Sequence, residues 1–439
     1  MALTGRVPLL VLAGLVLVAV WPSGAAVWAW AGVCAALVAL DVLLAPSPRV
    51  LHLARGPLPA VRVGEPREVD LVVANTGRRR LRGVLRDAWV PSAGAVDERH
   101  RLDVPAGERR RLTTVLVPTR RGDRPADRVT VRSLGPLGLA ARQRSTPVPG
   151  RLRVLPPFTS RKHLPSRLAR LRELDGRSAV LHRGQGTEFD SLRDYVDGDD
   201  VRSIDWRATA RRQSVVVRTW RPERDRRVLL VLDTSRTSAA RIGGGTGEGP
   251  AGVEVRLDAA IEAALLTAAL AGRAGDRVDL VAHDRRVRAR VRGSSRTQLL
   301  PQLVEALAPL EPALVEADWD AVAGEVNALA RQRALVVLIT AVDTSVLDSG
   351  LLTVLEQLGA RHTVVLASVE DPALVELARS RSSAEEVYAA AAAEAVVAER
   401  SATSALLRRL GVEVVHAAPD DLAPALADTY LALKAAGRL

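Results

Sequence analysis

The sequence has very few of the residues that build disulfide and zinc sites. Its 439 residues include a single cysteine, Cys34, and seven scattered histidines without the H-E-x-x-H spacing of zinc hydrolases. A G-x-S-x-G nucleophile elbow is also missing. The composition therefore excludes a disulfide framework and gives no support to a zinc or serine hydrolase.

Lysine and aromatic residues are scarce as well. Only Lys162 and Lys434 are lysines among 62 basic residues, although the formal net charge is +12. Such a bias towards arginine is typical of high-GC coding, whereas binding of nucleic acid is the alternative reason for a basic chain. Aromatic residues make up 3% of the sequence, which leaves out the stacking platforms of single-strand binders. Nucleic-acid binding is therefore the minor alternative.

Two apolar runs lie near the N-terminus, at residues 3–21 and 25–45. The second has the roughly 20 residues that a membrane-spanning helix needs, and the first is marginal in length. The break at residues 21–24 predicts a tight transmembrane helical hairpin over residues 1–46. A cleaved signal peptide is the competing interpretation, which the second apolar run disfavours.

Basic residues flank this hairpin on both outer sides, and tryptophans lie near its loop. Positively charged flanks stay in the cytoplasm, and tryptophans favour the membrane–water interface. We therefore predict a multi-pass protein with cytoplasmic soluble domains. The flanking residues are Arg6, Arg49, His52 and Arg55, and the tryptophans are Trp21, Trp28 and Trp30.

Three further regions differ in their patterning. Residues 50–150 contain short, valine-rich, alternating segments between turn sequences, which predict a small antiparallel β-sandwich. Residues 158–226 are polar, dense in charge and without clear periodicity, and we interpret them as a linking segment. Residues 227–439 alternate apolar strands with amphipathic helices, which predicts a doubly wound, mostly parallel α/β domain with a C-terminal helical extension. One long helix is expected over residues 372–410.

The clearest candidate site begins at Asp233, directly after the first strand of the predicted α/β domain. Asp233, Ser235 and Thr237 place one carboxylate and two hydroxyls at alternate positions, beyond the carboxyl end of a strand where open α/β sheets bind ligands. Oxygen ligands of this kind suit Mg²⁺. The same side chains could instead only cap the following turn.

This loop resembles the D-x-S-x-S/T loop of von Willebrand factor A-type domains, whose metal site is completed by a carboxylate of the partner. The resemblance implies a threonine from a second loop and an aspartate after the fourth strand. Thr297 is the candidate for the first. Ala341 stands at the expected aspartate position, and Asp343 is the candidate two residues later. The resemblance therefore implies a degenerate metal-ion-dependent adhesion site with weakened affinity for Mg²⁺.

Acidic residues and arginines alternate densely between residues 186 and 211. Arginine forks that bridge carboxylates can lock such a segment onto a neighbouring domain. The same arginines lower carboxyl pKa values, which disfavours a general acid. We therefore predict structural locking or partner docking rather than catalysis. The candidate residues are Asp190, Arg193, Asp194, Tyr195, Asp199, Asp200, Arg202, Asp205, Trp206 and Arg207.

Within this segment, FDSLRDYVDGDDVRSIDWRATAR at residues 189–211 closely resembles the signature of the bacterial domain-of-unknown-function 58 family. The resemblance extends to RRG at residues 120–122 and GPLGL at 135–139, although family members have aspartate where Gly135 stands. It implies an A-type-domain protein in the bacterial plasma membrane. Such proteins resemble adaptors or chaperone partners of a MoxR-type AAA+ ATPase.

The sequence therefore predicts a membrane-anchored adaptor that contacts a MoxR-type AAA+ ATPase, in a manner that could depend on Mg²⁺. No catalytic role is predicted for the chain. The competing hypotheses are a metal-dependent enzyme that acts on cell-envelope precursors and, with less support, a nucleic-acid binder.

Overall fold

The structure, a computed structural model, describes residues 2–181, 188–221, 226–243, 254–293, 296–343 and 347–439. The chain forms two compact units, Met1–Pro157 and Phe158–Leu439. The first unit combines apolar helices with antiparallel strands. The second contains a mostly parallel sheet covered by helices. The architecture is therefore that of a multi-domain protein.

Two apolar helices, α1 (Arg6–Val20) and α2 (Gly24–Leu44), contact each other in the first unit. The chain turns between them at Pro22, and the hydroxyl of Ser23 caps α2 by accepting a hydrogen bond from the Ala26 amide at 3.2 Å. Within the described residues, one helical segment, Gly24–Val50, is long and apolar enough to cross a membrane, whereas Arg6–Val16 is a shorter apolar stretch. Passage of both helices through a membrane remains a prediction.

The remaining residues of the first unit form two sheets of short strands. One sheet has seven strands and the other has four, and all pairings are antiparallel except that of β3 with β11. The strands are β1 (Ala2–Leu3), β2 (Leu51–Arg55), β3 (Val61–Arg62), β4 (Arg67–Asn75), β5 (Leu81–Trp89), β6 (Ala95–Val96), β7 (Arg99–Val104), β8 (Arg109–Leu116), β9 (Gly122–Leu134), β10 (Ala140–Thr146) and β11 (Arg151–Leu155).

The two sheets share their apolar core. Leu71 and Val73 of β4, in one sheet, lie in the same buried cluster as Leu85 and Val131 of the other. Alternate residues of β4 are buried, as the period of two in a half-exposed strand requires. Burial of these alternate apolar side chains accounts for the packing of the sheets.

The turn between β9 and β10 is held by the N-terminal segment. The fully buried carboxylate of Asp41, near the end of α2, accepts hydrogen bonds from the amides of Leu137 and Leu139 at 2.7 Å and of Ala140 at 2.8 Å. A Cβ atom built on Gly135 would overlap Asp41, so glycine is needed for this close approach. The apolar helix and the strands are therefore joined by a buried polar contact.

The second unit begins with α3 and a two-stranded hairpin that contains α4, and it continues with the sheet and its helices. The helices are α3 (Leu164–Leu181), α4 (Trp206–Arg212), α5 (Arg256–Arg273), α6 (Arg296–Leu307), α7 (Trp319–Leu329), α8 (Leu352–Gly359), α9 (Pro372–Leu377), α10 (Ala384–Arg409) and α11 (Pro419–Ala435). The strands are β12 (Glu188–Asp194), β13 (Val216–Arg221), β14 (Arg227–Asp233), β15 (Arg241–Ile242), β16 (Glu254–Val255), β17 (Arg277–His283), β18 (Val287–Val291), β19 (Leu335–Ile339), β20 (Thr363–Val369) and β21 (Glu413–Ala417).

The main sheet has six strands in the order β18-β17-β14-β19-β20-β21, and all pairings are parallel except that of β17 with β18. One face carries the cluster that includes Leu229, Trp319, Leu355 and Leu407, from β14, α7, α8 and α10. On the other face, α5 contacts β14, β17 and β20, and α11 contacts β20 and β21. The inner strands β14, β19 and β20 are buried on both faces, which explains their continuous apolar sequences.

Two details differ from the sequence predictions. The helix expected over residues 372–410 is broken into α9 and α10. The hydroxyl of Ser383 caps α10 by accepting a hydrogen bond from the Glu386 amide at 3.2 Å, so a Ser-x-x-Glu capping signal was present in the sequence. The expected linking segment over 158–226 lies within the second unit, where Glu262 of α5 accepts bonds from the amides of Thr159 and Ser160, both at 3.0 Å.

Candidate functional site at the carboxyl edge of the parallel sheet

Asp233 ends the central strand β14, and its side chain is 3% exposed. Its Oδ1 accepts a hydrogen bond from the Ser235 amide at 2.8 Å, and its Oδ2 accepts one from the Thr237 hydroxyl at 2.7 Å. The hydroxyls of Ser235 and Thr237 are 3.2 Å apart. The structure therefore brings together the three side chains that the motif predicts.

Thr340 is a fourth member of this cluster that the sequence reasoning missed. It follows β19, the strand next to β14, and its buried hydroxyl donates to Asp233 Oδ2 at 2.6 Å. The available signal was its position, because the first residue after a parallel neighbour of β14 lies at the same sheet edge as Asp233.

Thr297 does not join this cluster. Thr297 lies in the first turn of α6, two residues before Leu299. The Leu299 side chain packs closely against Gly272, since a Cβ atom built on this glycine would lie 3.0 Å from it. Gly272 is near the C-terminal end of α5, whose first residue, Arg256, contacts the Asp233 loop. With a rise of about 1.5 Å per residue, the length of α5 separates Thr297 from Asp233 by roughly 20 Å. The assignment of Thr297 to the same site was therefore wrong.

The loop that actually flanks Asp233 precedes α7. Its Ala313 amide donates to the Thr234 carbonyl at 2.8 Å, and its Val315 carbonyl accepts from the Arg236 amide at 2.8 Å. Residues 308–318 contain no threonine or serine. This neighbouring loop therefore contributes backbone contacts in place of a hydroxyl ligand.

Asp343 is paired with arginines. Its Oδ1 accepts a hydrogen bond from Arg400 Nε at 2.8 Å, and its Oδ2 is 3.9 Å from Arg256 Nη1. Arg256, the first residue of α5, also donates to the Thr237 carbonyl at 3.0 Å. The carboxylate expected to complete the metal shell is therefore neutralised by guanidinium groups.

The charges around this site shift the pKa values of its buried groups. Burial lowers the pKa of Arg256, while the carboxylates of Asp343, Asp371 and Asp233 oppose that shift. Burial also lowers the pKa of His416 at the end of β21. The carboxyl edge of the sheet therefore holds a dense set of charges with a buried arginine among them.

The described residues do not fit a resident Mg²⁺ ion. Both oxygens of Asp233 already accept hydrogen bonds. The buried Asp284, whose Oδ2 accepts a weak hydrogen bond from the Thr234 hydroxyl at 3.4 Å, is paired with Arg288 at 3.2 Å. No group of three or more His, Cys, Asp or Glu side chains suited to a metal occurs in the described part of the chain. The hydroxyl spacing alone would suit an octahedral oxygen shell, but the nearby guanidinium opposes a divalent cation.

The charged segment around residues 189–211 folds as a hairpin. Strands β12 and β13 pair in antiparallel fashion, with α4 between them in sequence. Arg193 binds Asp199 through two hydrogen bonds, of 2.7 and 2.5 Å, and Arg218 Nε donates to Asp205 at 2.8 Å. The described ion pairs of this segment join residues within it, so they lock the hairpin itself instead of a neighbouring domain.

Several of the predicted docking residues serve as caps and turn contacts. Asp205 caps α4 by accepting from the amides of Arg207 and Ala208, both at 3.0 Å, and Asp200 accepts from the Arg202 amide at 2.9 Å. Hydrogen bonding to the Ala208 amide lowers the pKa of Asp205, and Arg218 lowers it further. The Asp205 carboxylate is therefore kept ionised, as expected for a structural acceptor.

The remaining predicted docking residues fall into two groups. Asp194 accepts a weak hydrogen bond from the Ser214 hydroxyl at 3.4 Å, and the half-buried Tyr195 donates its amide to the Val215 carbonyl. The side chains of Arg202, Trp206 and Arg207 are exposed. Asp190 lies in β12, but its side chain is outside the described set.

Comparison with solved structures gives only weak likenesses. The PilB minor pilin from Streptococcus sanguinis has 9% identity and a TM-score of 0.32, with coverage of 81% of this chain and 87% of the pilin. The CARDB domain of PF1109 from Pyrococcus furiosus has 16% identity and a TM-score of 0.18, covering 24% and 86%. The PapD-like domain 7 of human CEP192 has 14% identity and a TM-score of 0.16, covering 24% and 82%. These likenesses carry no argument about function.

Comparison with curated proteins gives no match. Residues 191–400, however, match the family model described as protein of unknown function DUF58. This region contains most of the signature at residues 189–211, the Asp233 loop and the strands on both sides of it. The resemblance to the DUF58 family that the signature predicts is therefore confirmed over residues 191–400.

Proposed function

We propose that this protein is a membrane-anchored adaptor that docks an acidic surface of a MoxR-type AAA+ ATPase on the exposed face of α4. The proposal assigns no catalytic role to the chain. The observation that carries it is the exposure of Trp206 beside arginines that have no acidic partner within the described residues. The identity of the ATPase comes from the family resemblance.

The exposed face of α4 that we propose as the docking surface includes Trp206, Arg207, Ala210 and Arg211. Trp206 is 69% exposed, and the other three side chains are exposed as well. Residues four apart lie on the same side of a helix, so Arg207 and Arg211 are neighbours next to Trp206 and Ala210. This arrangement joins one large aromatic side chain to two positive charges.

Two other arginines of the hairpin have carboxylate partners. Arg193 and Arg218 are bound to Asp199 and Asp205, whereas Arg207 and Arg211 have no carboxylate partner among the described residues. Tryptophan and arginine are the residues most enriched among the energetic centres of protein interfaces. An acidic partner would supply the missing carboxylates and cover the indole.

The face is also held in place before any partner binds. Asp205 caps the start of α4, and the Thr209 hydroxyl accepts a hydrogen bond from the Val216 amide of β13 at 3.1 Å. A helix fixed at both its N-terminus and its inner side loses little backbone freedom on binding. This pre-organisation lowers the entropic cost of docking on α4.

We further propose that the α/β unit is a von Willebrand factor A-like domain. Its sheet order and the Asp233 loop at the carboxyl edge support this assignment. In this proposal the loop is a structural polar centre, since its described residues do not fit a resident metal. The hairpin of α1 and α2 would anchor the chain in the bacterial plasma membrane, with the soluble units in the cytoplasm.

The test is an affinity purification of the full chain from detergent-solubilised cells, with mass spectrometry of the bound proteins. The variants Trp206→Ala and Arg207→Ala/Arg211→Ala remove the face. Tyr388→Ala is the matched control, because Tyr388 is an exposed aromatic side chain on α10. Each purification is repeated with Mg²⁺ and with a chelator.

We expect the ATPase to co-purify with the original chain and with Tyr388→Ala, and its recovery to fall at least about tenfold for the two face variants. Chelator should not change the recovery. Equal recovery with all variants would refute docking on α4. Loss of the partner on chelation would instead favour a metal-bridged contact at the Asp233 loop.

A further inference from the structure

The buried guanidinium of Arg256 lies beside the Asp233 loop. Arg256 is 8% exposed, and its Nη1 donates to the Thr237 carbonyl at 3.0 Å. The same atom lies 3.9 Å from Asp343 Oδ2. The guanidinium therefore connects the Asp233 loop to the carboxylate that follows β19.

Burial of this arginine requires compensation by nearby negative charge. Asp343, Asp371 and Asp233 all favour the charged form of Arg256, whereas the nearby Arg400 disfavours it. The Nε atom of Arg256 is buried and has no hydrogen-bond acceptor among the described residues. The side chain is therefore held mainly by the field of the carboxylates and by its contact with Thr237.

Arg400 strengthens the same arrangement from another element. It lies on α10, and its Nε donates to Asp343 Oδ1 at 2.8 Å. Asp343 thus accepts a hydrogen bond from Arg400 at Oδ1 and has the Arg256 guanidinium 3.9 Å from Oδ2, so its charge is balanced by two arginines. The pairing joins α5, α10 and the loop after β19.

We infer that Arg256 is the resident cation of the Asp233 loop and takes the place of a divalent metal ion. The guanidinium supplies the positive charge that the buried Asp233 and Asp343 need. Its like charge repels a divalent cation from the loop oxygens. The loop is therefore a polar centre that works without metal, whether or not the protein is an adaptor.

The inference predicts that removal of the guanidinium creates a metal site. With Arg256→Met, which keeps an aliphatic stem, Asp233 and the hydroxyls of Ser235, Thr237 and Thr340 lose the nearby positive charge. Mn²⁺ should then bind to this variant at least about tenfold more tightly than to the original chain. Arg256→Lys keeps the charge and should not gain the site.

The experiment is a Mn²⁺ titration of the full chain in detergent, followed by electron paramagnetic resonance. Arg236→Ala is the matched control, because Arg236 lies in the same loop but is exposed and paired with Glu316. We expect a saturable site in Arg256→Met that is lost in Arg256→Met/Asp233→Asn. The original chain and Arg236→Ala should lack it.

A saturable Mn²⁺ site in the original chain that is lost in Asp233→Asn would overturn the inference. A folded Arg256→Met variant with no gain in affinity would also overturn it. If Arg256→Met does not fold, the smaller and neutral variant Arg256→Gln provides the same comparison. The titration of the original chain does not depend on either variant, and a saturable Mn²⁺ site there would still overturn the inference.

Discussion

Replacement of Asp41 by asparagine should release the turn between β9 and β10. The two carboxylate oxygens of Asp41 accept three amide hydrogen bonds, from Leu137 at Oδ1 and from Leu139 and Ala140 at Oδ2. Asparagine has one carbonyl oxygen and a donating NH₂ group. If the oxygen stays on Leu139 and Ala140, the NH₂ group faces the Leu137 amide, so two donors meet.

The expected cost follows from the hydrogen bonds lost. A donor left unsatisfied costs about 1–3 kcal/mol when it is buried, and the lower end applies to the amide of Leu137, a residue that is 43% exposed. Weakening of the two buried charged bonds to Leu139 and Ala140 brings the total to about 3 kcal/mol. At 1.36 kcal/mol for each factor of ten, local opening of the turn should become more frequent by on the order of 100-fold. Hydrogen exchange of the peptide that covers residues 135–141, followed by mass spectrometry, measures this directly.

Asp70→Asn is the control for the same chemical change at an exposed site. Asp70 lies on β4, where it accepts a hydrogen bond from Thr113 and lies 3.5 Å from Arg111. Exposed pairs of this kind contribute little, so its effect should stay below about 1 kcal/mol. Unchanged exchange at residues 135–141 in folded Asp41→Asn protein would refute the proposed role of Asp41.

Three further outcomes follow from buried and capping residues. Burial lowers the pKa values of His362 and His416, so the unfolded chain binds more protons than the folded chain below about pH 6.5. The melting temperature should therefore fall as the pH drops below 6.5, and His362→Gln should make this fall smaller. Leu230 is fully buried in β14, and Leu230→Ala should lower the free energy of unfolding, measured by urea titration, by about 3 kcal/mol. Leu314 is exposed, and Leu314→Ala should lower it by less than about 0.5 kcal/mol. Asp205→Ala removes the cap of α4, so amides 207 and 208 should exchange faster, and equal rates would contradict the capping role.

The elements that the sequence predicted best are those with strong local patterns. The continuous apolar run of β14 and the motif that begins at Asp233 lie within a few residues of each other. A short motif at the end of a buried strand therefore placed Asp233, Ser235 and Thr237 correctly. The parallel sheet followed from the same apolar runs, and the DUF58 match followed from the signature.

The parts that escaped prediction depend on contacts between distant residues. The pairing of Arg400 with Asp343 spans 57 positions, and Thr340 reaches Asp233 over 107. Nothing local marks these partners, because each is an ordinary polar residue until the sheet is assembled. Thr297 was misplaced for the related reason that the direction of a loop around a sheet edge is not encoded in its own sequence.

Photocrosslinking from position 206 in living cells tests the central claim most directly. A benzophenone amino acid replaces Trp206 in one strain and Tyr388, which is 80% exposed, in a control strain. We predict that a MoxR-type AAA+ ATPase is crosslinked from position 206 and not from position 388. Crosslinking of that ATPase equally from both positions, or of no such protein from position 206, would contradict the docking of the partner on α4.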